Sequence, residues 1–285
     1  MGMIVEMAEG RGPVFPNPLK SPKDPQFSSV VSIDPHKAAR EQLDYVYRAL
    51  TLTRKQLRGR VPLIGFCGAP WTLLCYMVEG GGTKVFKESK TWIYKYPEAS
   101  HQLLQKLCEL CVEYLALQVL AGAQMLQVFD SWAGELGPSA FREFSLPYLR
   151  HISAHLPKRL KDLELERVPM TVFAKGAWYA LDELCSSGYD VVSLDWLHDP
   201  AEAVRIANGR VTLQGNMDPG VLYGGREAIS RGAEAVCAGF GTQRWIVNLG
   251  HGVTPWVNPD DLGWFFEEVV RCAAAANEKA RVPGR

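Results

Sequence analysis

Three side chains in this sequence carry hydrogen-bonding groups at positions suited to binding an anionic substrate: Tyr76, Ser131 and His251. Ser131 follows Asp130 at the end of an apolar run, and His251 stands between two glycines just past another such run. Glycines beside a residue let the backbone approach a ligand closely. A hydroxyl or an imidazole at these points can donate hydrogen bonds to a carboxylate, and a protonated imidazole adds positive charge.

Each of the three residues also has a structural interpretation. Serine is a preferred helix cap and turn residue, and position alone favours that role for Ser131. Tyr76 follows Trp71 and Leu74, so burial tendency favours a core position. For His251, a structural role and a site role are both open. A serine nucleophile is not expected, because the G-x-S-x-G elbow is absent.

The elements that must position these residues are short apolar runs separated by helical stretches. Nearly continuous apolarity is typical of strands buried on both faces of a parallel sheet. The six runs span 61–67, 125–130, 170–175, 191–195, 211–216 and 245–250. The helical stretches are Trp92–Gly122 (broken near Tyr96-Pro97), Phe141–Leu160, Ala177–Ser186, Pro200–Ala207, Arg226–Ala238 and Asp260–Ala276. Strand and helix in alternation predict an α/β fold with right-handed crossovers.

The first 33 residues form no part of this alternation. Gly and Pro spacing predicts a hairpin of Met3–Met7 against Val14–Phe15, followed by a surface loop. Asp34 and Pro35 are suited to the N-cap and first position of a helix running to Gly59. No linker interrupts the later pattern, so we expect a single domain over residues 1–285, with one helix and six βα units after residue 33.

Polar residues at the ends of the runs decide between two architectures. A doubly wound sheet that binds a nucleotide has a G-x-G-x-x-G loop after a strand, and none is present. A (β/α)8 TIM barrel instead gathers polar residues at the carboxyl ends of many strands. Such residues are Cys67, Asp130, Ser131, Lys175, Asp195, Gln214, Asn216, Asn248 and His251. The pattern favours the barrel, with about six of its eight βα units present.

Charge and cysteine content limit the binding partners, the cellular compartment and the metal sites that we expect. Lys plus Arg count 31 and Asp plus Glu count 31, so the zero net charge disfavours nucleic-acid and acidic-membrane binding. Seven scattered cysteines and no secretory leader predict reduced thiols in a cytoplasmic protein. A single Cys108-x-x-Cys111 is weak evidence for zinc, because a structural site needs four ligands. We therefore expect no metal.

Five segments carry a resemblance to a known family. They are 61–66, 68–73, 76–82, 211–219 and 248–252, which read VPLIGF, GAPWTL, YMVEGGG, VTLQGNMDP and NLGHG. In these segments and their order, the sequence resembles the uroporphyrinogen decarboxylases, and the eukaryotic enzymes most. The resemblance implies a cytosolic, homodimeric (β/α)8 barrel without a cofactor. It also implies removal of CO2 from the four acetate side chains of uroporphyrinogen to give coproporphyrinogen, in haem synthesis. The family's substrate-binding Tyr, Ser and His fall on Tyr76, Ser131 and His251.

One departure from the family pattern affects the expected activity. The family's R-Q-A-G-R and F-S-D motifs do not occur, and the resemblance starts at Met1-Gly2-Met3-Ile4. This implies that the first two strands are missing, together with the catalytic Asp and Arg of the family. No catalytic residue is therefore identified in this chain, and its turnover is expected to be weak or absent.

Two other functions are open. A non-catalytic shortened subunit would pair with a full-length decarboxylase. A zinc- and corrinoid-type barrel methyltransferase would carry an H-x-C motif. Here His251 is followed by Gly252-Val253 with no cysteine nearby, which disfavours the methyltransferase.

Overall fold

The computed structural model describes residues 5–8, 12–81 and 83–281. The chain divides into two compact units. The first unit comprises Met1–Ala177 with Ser187–Tyr189, and the second comprises Trp178–Ser186 with Asp190–Arg285. The expectation of one domain over residues 1–285 rests on the sequence alone.

The amino-terminal hairpin pairs β1 (Glu6–Ala8) with β2 (Gly12–Val14) in antiparallel register, Glu6 opposite Val14. Met3, the predicted first residue of this hairpin, lies outside the described residues. The surface loop predicted to follow is wrong in one part, because it contains the helix α1 (Pro25–Val31). Asp24 caps this helix by accepting a hydrogen bond from the Gln26 amide, and Phe27 is buried against Trp92.

The next helix begins as predicted, but it is not continuous. Asp34 accepts hydrogen bonds from the His36 and Lys37 amides at the start of α2 (Pro35–Gln42). Leu43 then interrupts the helix, and α3 (Asp44–Leu57) follows. α2 buries two alanines whereas α3 buries no residue fully, so the two segments pack differently.

The first unit contains three parallel strands with helices between them. In chain order its elements are β3 (Ile64–Gly68), α4 (Pro70–Glu79), α5 (Lys87–Lys95), α6 (Pro97–Leu120), β4 (Met125–Asp130), α7 (Pro138–Phe144), α8 (Leu146–Asp162) and β5 (Met170–Ala174). Ile64 lies opposite Met125, and Leu126 lies opposite Met170. The predicted break at Tyr96-Pro97 is confirmed. The stretch predicted as one helix, Phe141–Leu160, is instead two helices that meet at Ser145.

The second unit repeats the alternation with three further parallel strands. Its elements are α9 (Leu181–Cys185), β6 (Val191–Ser193), α10 (Pro200–Ala207), β7 (Thr212–Met217), α11 (Gly225–Phe240), β8 (Trp245–Leu249) and α12 (Pro259–Arg281). Short 3-10 helices precede α9 and α11. Four of the six strands lie within their predicted apolar runs, and β3 and β7 each extend one residue beyond theirs, so the predicted α/β class is confirmed. Within the described ranges, no helix is both long and apolar enough to span a membrane.

Candidate functional site

The carboxyl end of β4 is organised by Asp130, whose side chain is completely buried. Its Oδ1 accepts a hydrogen bond of 2.7 Å from the Thr72 hydroxyl, and its Oδ2 accepts one of 2.5 Å from the Ser145 hydroxyl. Burial raises the pKa of Asp130 to about 6, although both hydrogen bonds oppose that shift. Asp130 thereby ties β4 to α4 and to the junction of α7 and α8. The break between α7 and α8 thus places the Ser145 hydroxyl where it can bind Asp130.

The loop that carries Ser131 is held against α4 by two hydrogen bonds to the backbone of Trp132, the residue that follows Ser131. The Trp132 amide donates to the Thr72 hydroxyl at 3.3 Å, and the Trp132 carbonyl accepts from the Trp71 indole at 2.9 Å. Ser131 itself is partly exposed. The caps of the following 3-10 turn and of α7 are Trp132 and Gly137, so the helix-cap interpretation of Ser131 is wrong.

The loops after β4 and β5 touch through two glycines. The Gly134 amide donates to the Lys175 carbonyl at 2.7 Å. A Cβ on either Gly134 or Gly176 would lie 2.8 Å from the Cα of the other, closer than side chains tolerate. Gly176 also has a φ of +78°, where an L side chain is strained. Only glycines therefore allow this approach of the two loops.

Tyr76 lies on α4 with its ring half-buried between two aromatic neighbours. The ring of Phe15 stacks on it at 6.4 Å, and the ring of Trp132 meets it edge-on at 6.2 Å. Tyr76 and Trp132 also line one small cavity. Trp71 and Leu74 are fully buried, whereas Tyr76 is not, so the core interpretation holds for its neighbours only. The structure thus brings Tyr76 close to the residue that follows Ser131.

In the second unit, Asn216 holds the turn that follows β6. Its buried carboxamide donates to the carbonyls of Asp195 at 2.9 Å and His198 at 2.8 Å. The Asp195 carboxylate accepts from the Leu197 amide at 3.0 Å and lies 3.3 Å from Nδ1 of His198. These contacts fix the backbone on both sides of Trp196.

His251 is exposed and lies beside Trp196, with 6.4 Å between the ring centroids in an edge-on arrangement. Its Nδ1 accepts a hydrogen bond of 2.8 Å from the Gly252 amide. A neutral His251 therefore carries its proton on Nε2, which makes Nε2 a hydrogen-bond donor. A Cβ at Gly250 would lie 2.6 Å from the Trp196 amide nitrogen. Gly250 thus lets the backbone of Trp196 come close, whereas the sequence led us to expect that this glycine makes room for a ligand.

Two residues of these arrangements were missed at the level of sequence. Thr72 and Ser145 bind Asp130 from 58 and 15 residues away. Sequence reasoning identified Asp130 and Asn216 as strand-end residues without giving them a role. A carboxylate at the end of a mostly apolar run is the one signal in the sequence that marks such a network. Gly82, the last residue of one resemblance segment, lies outside the described residues.

Two cysteines of the sequence pattern lie inside α6. The Cys108 thiol is 3.3 Å from the Tyr148 carbonyl, and the Cys111 thiol is 3.5 Å from the Gly68 carbonyl. Across residues 5–8, 12–81 and 83–281, no three His, Cys, Asp or Glu side chains are grouped so as to hold a metal ion.

The chain as a whole is similar to one family of known proteins. The uroporphyrinogen decarboxylase family model matches residues 1–272. A uroporphyrinogen decarboxylase of Schizosaccharomyces pombe is 52% identical over 271 residues, which cover 94% of this chain and 74% of that protein. The Danio rerio enzyme is 52% identical over 269 residues, covering 94% and 72%. The Homo sapiens enzyme is 48% identical over 269 residues, with the same coverage.

Solved structures agree on the fold. A methyltransferase from Methanosarcina mazei superposes with a TM-score of 0.76 at 18% identity, covering 95% of this chain and 76% of that one. A B12-independent methionine synthase from Shewanella sp. W3-18-1 gives a TM-score of 0.55 at 11% identity, covering 98% and 75%. At these identities the likeness concerns the fold alone, which is the predicted TIM-barrel type. The family match and the identities near one half show that the chain belongs to the uroporphyrinogen decarboxylase family.

Proposed function

We propose that this chain is a carboxy-lyase that removes CO2 from the acetate side chains of uroporphyrinogen, giving coproporphyrinogen in porphyrin biosynthesis. The observation that carries the proposal is 52% identity over 94% of the chain to a uroporphyrinogen decarboxylase. A matched region of this length covers the positions of Tyr76, Ser131 and His251.

The reaction needs an electron sink and binding groups for many carboxylates. Loss of CO2 leaves a carbanion on a carbon attached to an electron-rich pyrrole. Protonation of the ring first creates a cationic sink, which a nearby carboxylate stabilises electrostatically. A proton donor must then deliver a proton to the carbon. Because the substrate is polyacidic and this chain has no net charge, binding depends on locally placed donors and cations.

Three residues are proposed to bind substrate carboxylates: Tyr76 and Ser131 in the first unit, and His251 in the second. Tyr76 and Ser131 each offer a hydroxyl donor near Trp132, because the ring of Trp132 packs against Tyr76 and Trp132 directly follows Ser131. His251 offers its Nε2 proton, because Nδ1 accepts from the Gly252 amide. Each such hydrogen bond to a charged group is worth about 1.5–3 kcal/mol.

Asp130 is proposed as a positioning residue. A raised pKa at a strand end often marks a catalytic acid or base. Here the side chain is fully buried and both oxygens accept hydrogen bonds from hydroxyls. The carboxylate therefore fixes the loop of Ser131 and does not contact substrate.

The alternatives receive less support. Likeness to a methyltransferase is limited to the fold at 18% identity. A non-catalytic subunit would form soluble heterodimers with a full-length decarboxylase on co-expression. A homodimer and a cytosolic location belong to the present proposal through the family resemblance, and sedimentation of the purified chain tests the first of them.

The test is an anaerobic assay of residues 1–285 with uroporphyrinogen. After quenching, products are oxidised to porphyrins and separated by carboxylate number. We expect slow, stepwise loss of acetate carboxylates toward coproporphyrin, because no catalytic residue is identified in this chain, and heat-unfolded protein is the control. Absence of any product below the starting carboxylate number, with substrate binding retained, would favour the non-catalytic subunit.

A further inference from the structure

The strand β3 of the first unit lies at an edge of its sheet. Its hydrogen-bonded neighbour is β4, and the described part of the chain holds no strand on its other side. Alternate residues of a parallel strand direct their backbone groups to opposite sides. The Leu63 carbonyl accepts from the Gln124 amide at 2.8 Å, on the side of β4. The Ala69 amide donates to the Phe129 carbonyl on the same side, so the even-numbered residues between them face the edge.

This edge offers a surface on which another strand could pair. Ile64 and Phe66, whose backbone groups face the edge, also have side chains that are 45% and 58% exposed. Free N–H and C=O groups beside exposed apolar side chains are a template for pairing with another chain. Two copies of this chain would present the same edge to each other, so antiparallel pairing about a twofold axis would be self-complementary.

The carboxamide of Gln118 occupies the edge at Phe66. Its Oε1 accepts a hydrogen bond of 3.0 Å from the Phe66 amide, and its Nε2 donates one of 3.0 Å to the Phe66 carbonyl. A carboxamide has the same acceptor and donor as a peptide group, so both backbone groups of Phe66 are bound as a neighbouring strand would bind them. Gln118 lies on α6 and is only 2% exposed, so packing holds its side chain in place.

Two nearby residues support this contact. A Cβ at Gly65 would lie 2.8 Å from Oε1 of Gln118, so the glycine lets the carboxamide reach the strand. Cys111 lies seven residues before Gln118, on the same face of α6, and its thiol donates to the Gly68 carbonyl at 3.5 Å. The helix α6 therefore binds the carbonyls of two successive even-numbered residues of β3.

We propose that Gln118 takes the place of a neighbouring strand and closes the β3 edge against pairing with a second copy of this chain. Phe66 is the middle residue of β3 (Ile64–Gly68). While the carboxamide binds it, an incoming strand finds neither a donor nor an acceptor at the centre of the edge. Pairing there would displace a buried side chain, which would lose both of its hydrogen bonds. Removal of the carboxamide should therefore free the edge for pairing.

The test compares the native chain with Gln118→Leu and with the matched control Gln105→Leu. Gln105 lies on the same helix, but its carboxamide donates to the Glu109 carboxylate of that helix at 3.3 Å. Hydrogen–deuterium exchange resolved to single residues reports on the Phe66 amide. Sedimentation velocity over a series of protein concentrations reports on association.

In dilute Gln118→Leu, the Phe66 amide should exchange about tenfold faster than in the native chain, because its acceptor is gone. At higher concentration this variant should form species larger than those of the native chain. Within these species the Phe66 amide should be protected again, which distinguishes pairing of β3 from non-specific aggregation. Gln105→Leu should match the native chain in both measurements.

If Gln118→Leu does not fold, Gln118→Asn is measured in the same way, because its carboxamide is one methylene too short to bind both groups of Phe66. Exchange in the native chain is a test that needs no variant: the Phe66 amide should be protected. An unprotected Phe66 amide in the native chain would overturn the proposal. Absence of larger species in the folded Gln118 variant would overturn it too. The inference does not depend on the proposed enzymatic activity.

Discussion

Replacing Asp130 by Asn should change how the stability of the first unit depends on pH. Asn keeps the size of the side chain. Its Oδ1 can still accept from Thr72, and its Nδ2 can donate to the Ser145 oxygen. The substitution therefore removes the ionisable group and retains the hydrogen-bonded network that holds the loop of Ser131.

The magnitude follows from the pKa of Asp130, which burial raises from 3.8 to about 6 in the folded chain. Because the folded state then holds the proton more tightly than the unfolded state, this group favours folding most below the ordinary pKa. That contribution is lost as the pH rises through the folded pKa. A shift of about two units corresponds to roughly 3 kcal/mol. The carboxamide of Asp130→Asn does not titrate, so the variant lacks this dependence.

The assay is urea unfolding, followed by tryptophan fluorescence at a series of pH values from about 4 to about 7. The unfolding free energy of the native chain minus that of Asp130→Asn should fall by roughly 2.4 kcal/mol over this range, the rest of the contribution appearing only below pH 4. Taking the difference cancels the titration of groups common to both proteins. A difference that is constant or rises with pH would refute the argument that Asp130 is a buried carboxylate with a raised pKa.

Glu113→Gln is the control of opposite sign. Burial alone would raise the pKa of Glu113, but hydrogen bonds and charge from Arg159, together with His36, outweigh it and lower the pKa. A lowered pKa contributes stability above the unfolded value that is lost as the pH falls. For this variant the same free-energy difference should therefore rise with pH, which separates specific titration from a general acid effect.

Three further predictions concern the loops of the site. Gly250→Ala should raise the KM for uroporphyrinogen about tenfold, because the new Cβ would lie 2.6 Å from the backbone nitrogen of Trp196, in the loop beside His251. Gly252→Ala is the control and should leave KM unchanged, because open space surrounds its Cβ. Steady-state assays of both variants measure the difference. Gly176→Ala should lower the unfolding free energy by about 2 kcal/mol, because it combines a positive φ with a contact of 2.8 Å; urea unfolding at neutral pH measures this. Ser131→Ala should raise KM about tenfold, since it removes one proposed hydrogen bond to substrate, and should leave the thermal midpoint nearly unchanged, since Ser131 is partly exposed.

The sequence pattern predicted those helices and strands that are determined by neighbouring residues in the chain. The strands were predictable because each is a short apolar run, and the start of α2 followed from Asp34 and Pro35. The same Asp-Pro pair stands at residues 24 and 25, so α1 was also within reach of the sequence. The break at Ser145 was not, because its partner is Asp130, at the end of a strand 15 residues earlier.

The sequence predicted where the candidate site residues lie, but it did not predict the hydrogen bonds that hold them in place. Ser131 and His251 follow strand ends, where barrel folds gather functional groups. The tautomer of His251 depends on one backbone amide, and the place of Trp196 depends on Asn216 at the end of another strand. The first contact depends on the ring orientation of His251, and the second joins residues 21 apart in sequence, so no spacing rule encodes either of them.

The most direct measurement is release of labelled CO2 from uroporphyrinogen carrying label in its acetate carboxyl carbons. Residues 1–285 are incubated with it anaerobically, beside heat-unfolded protein. We expect labelled CO2 above the unfolded control, matched by loss of carboxylates from the porphyrin products and reduced in Ser131→Ala. Binding of uroporphyrinogen without any release of labelled CO2 would contradict the proposed activity.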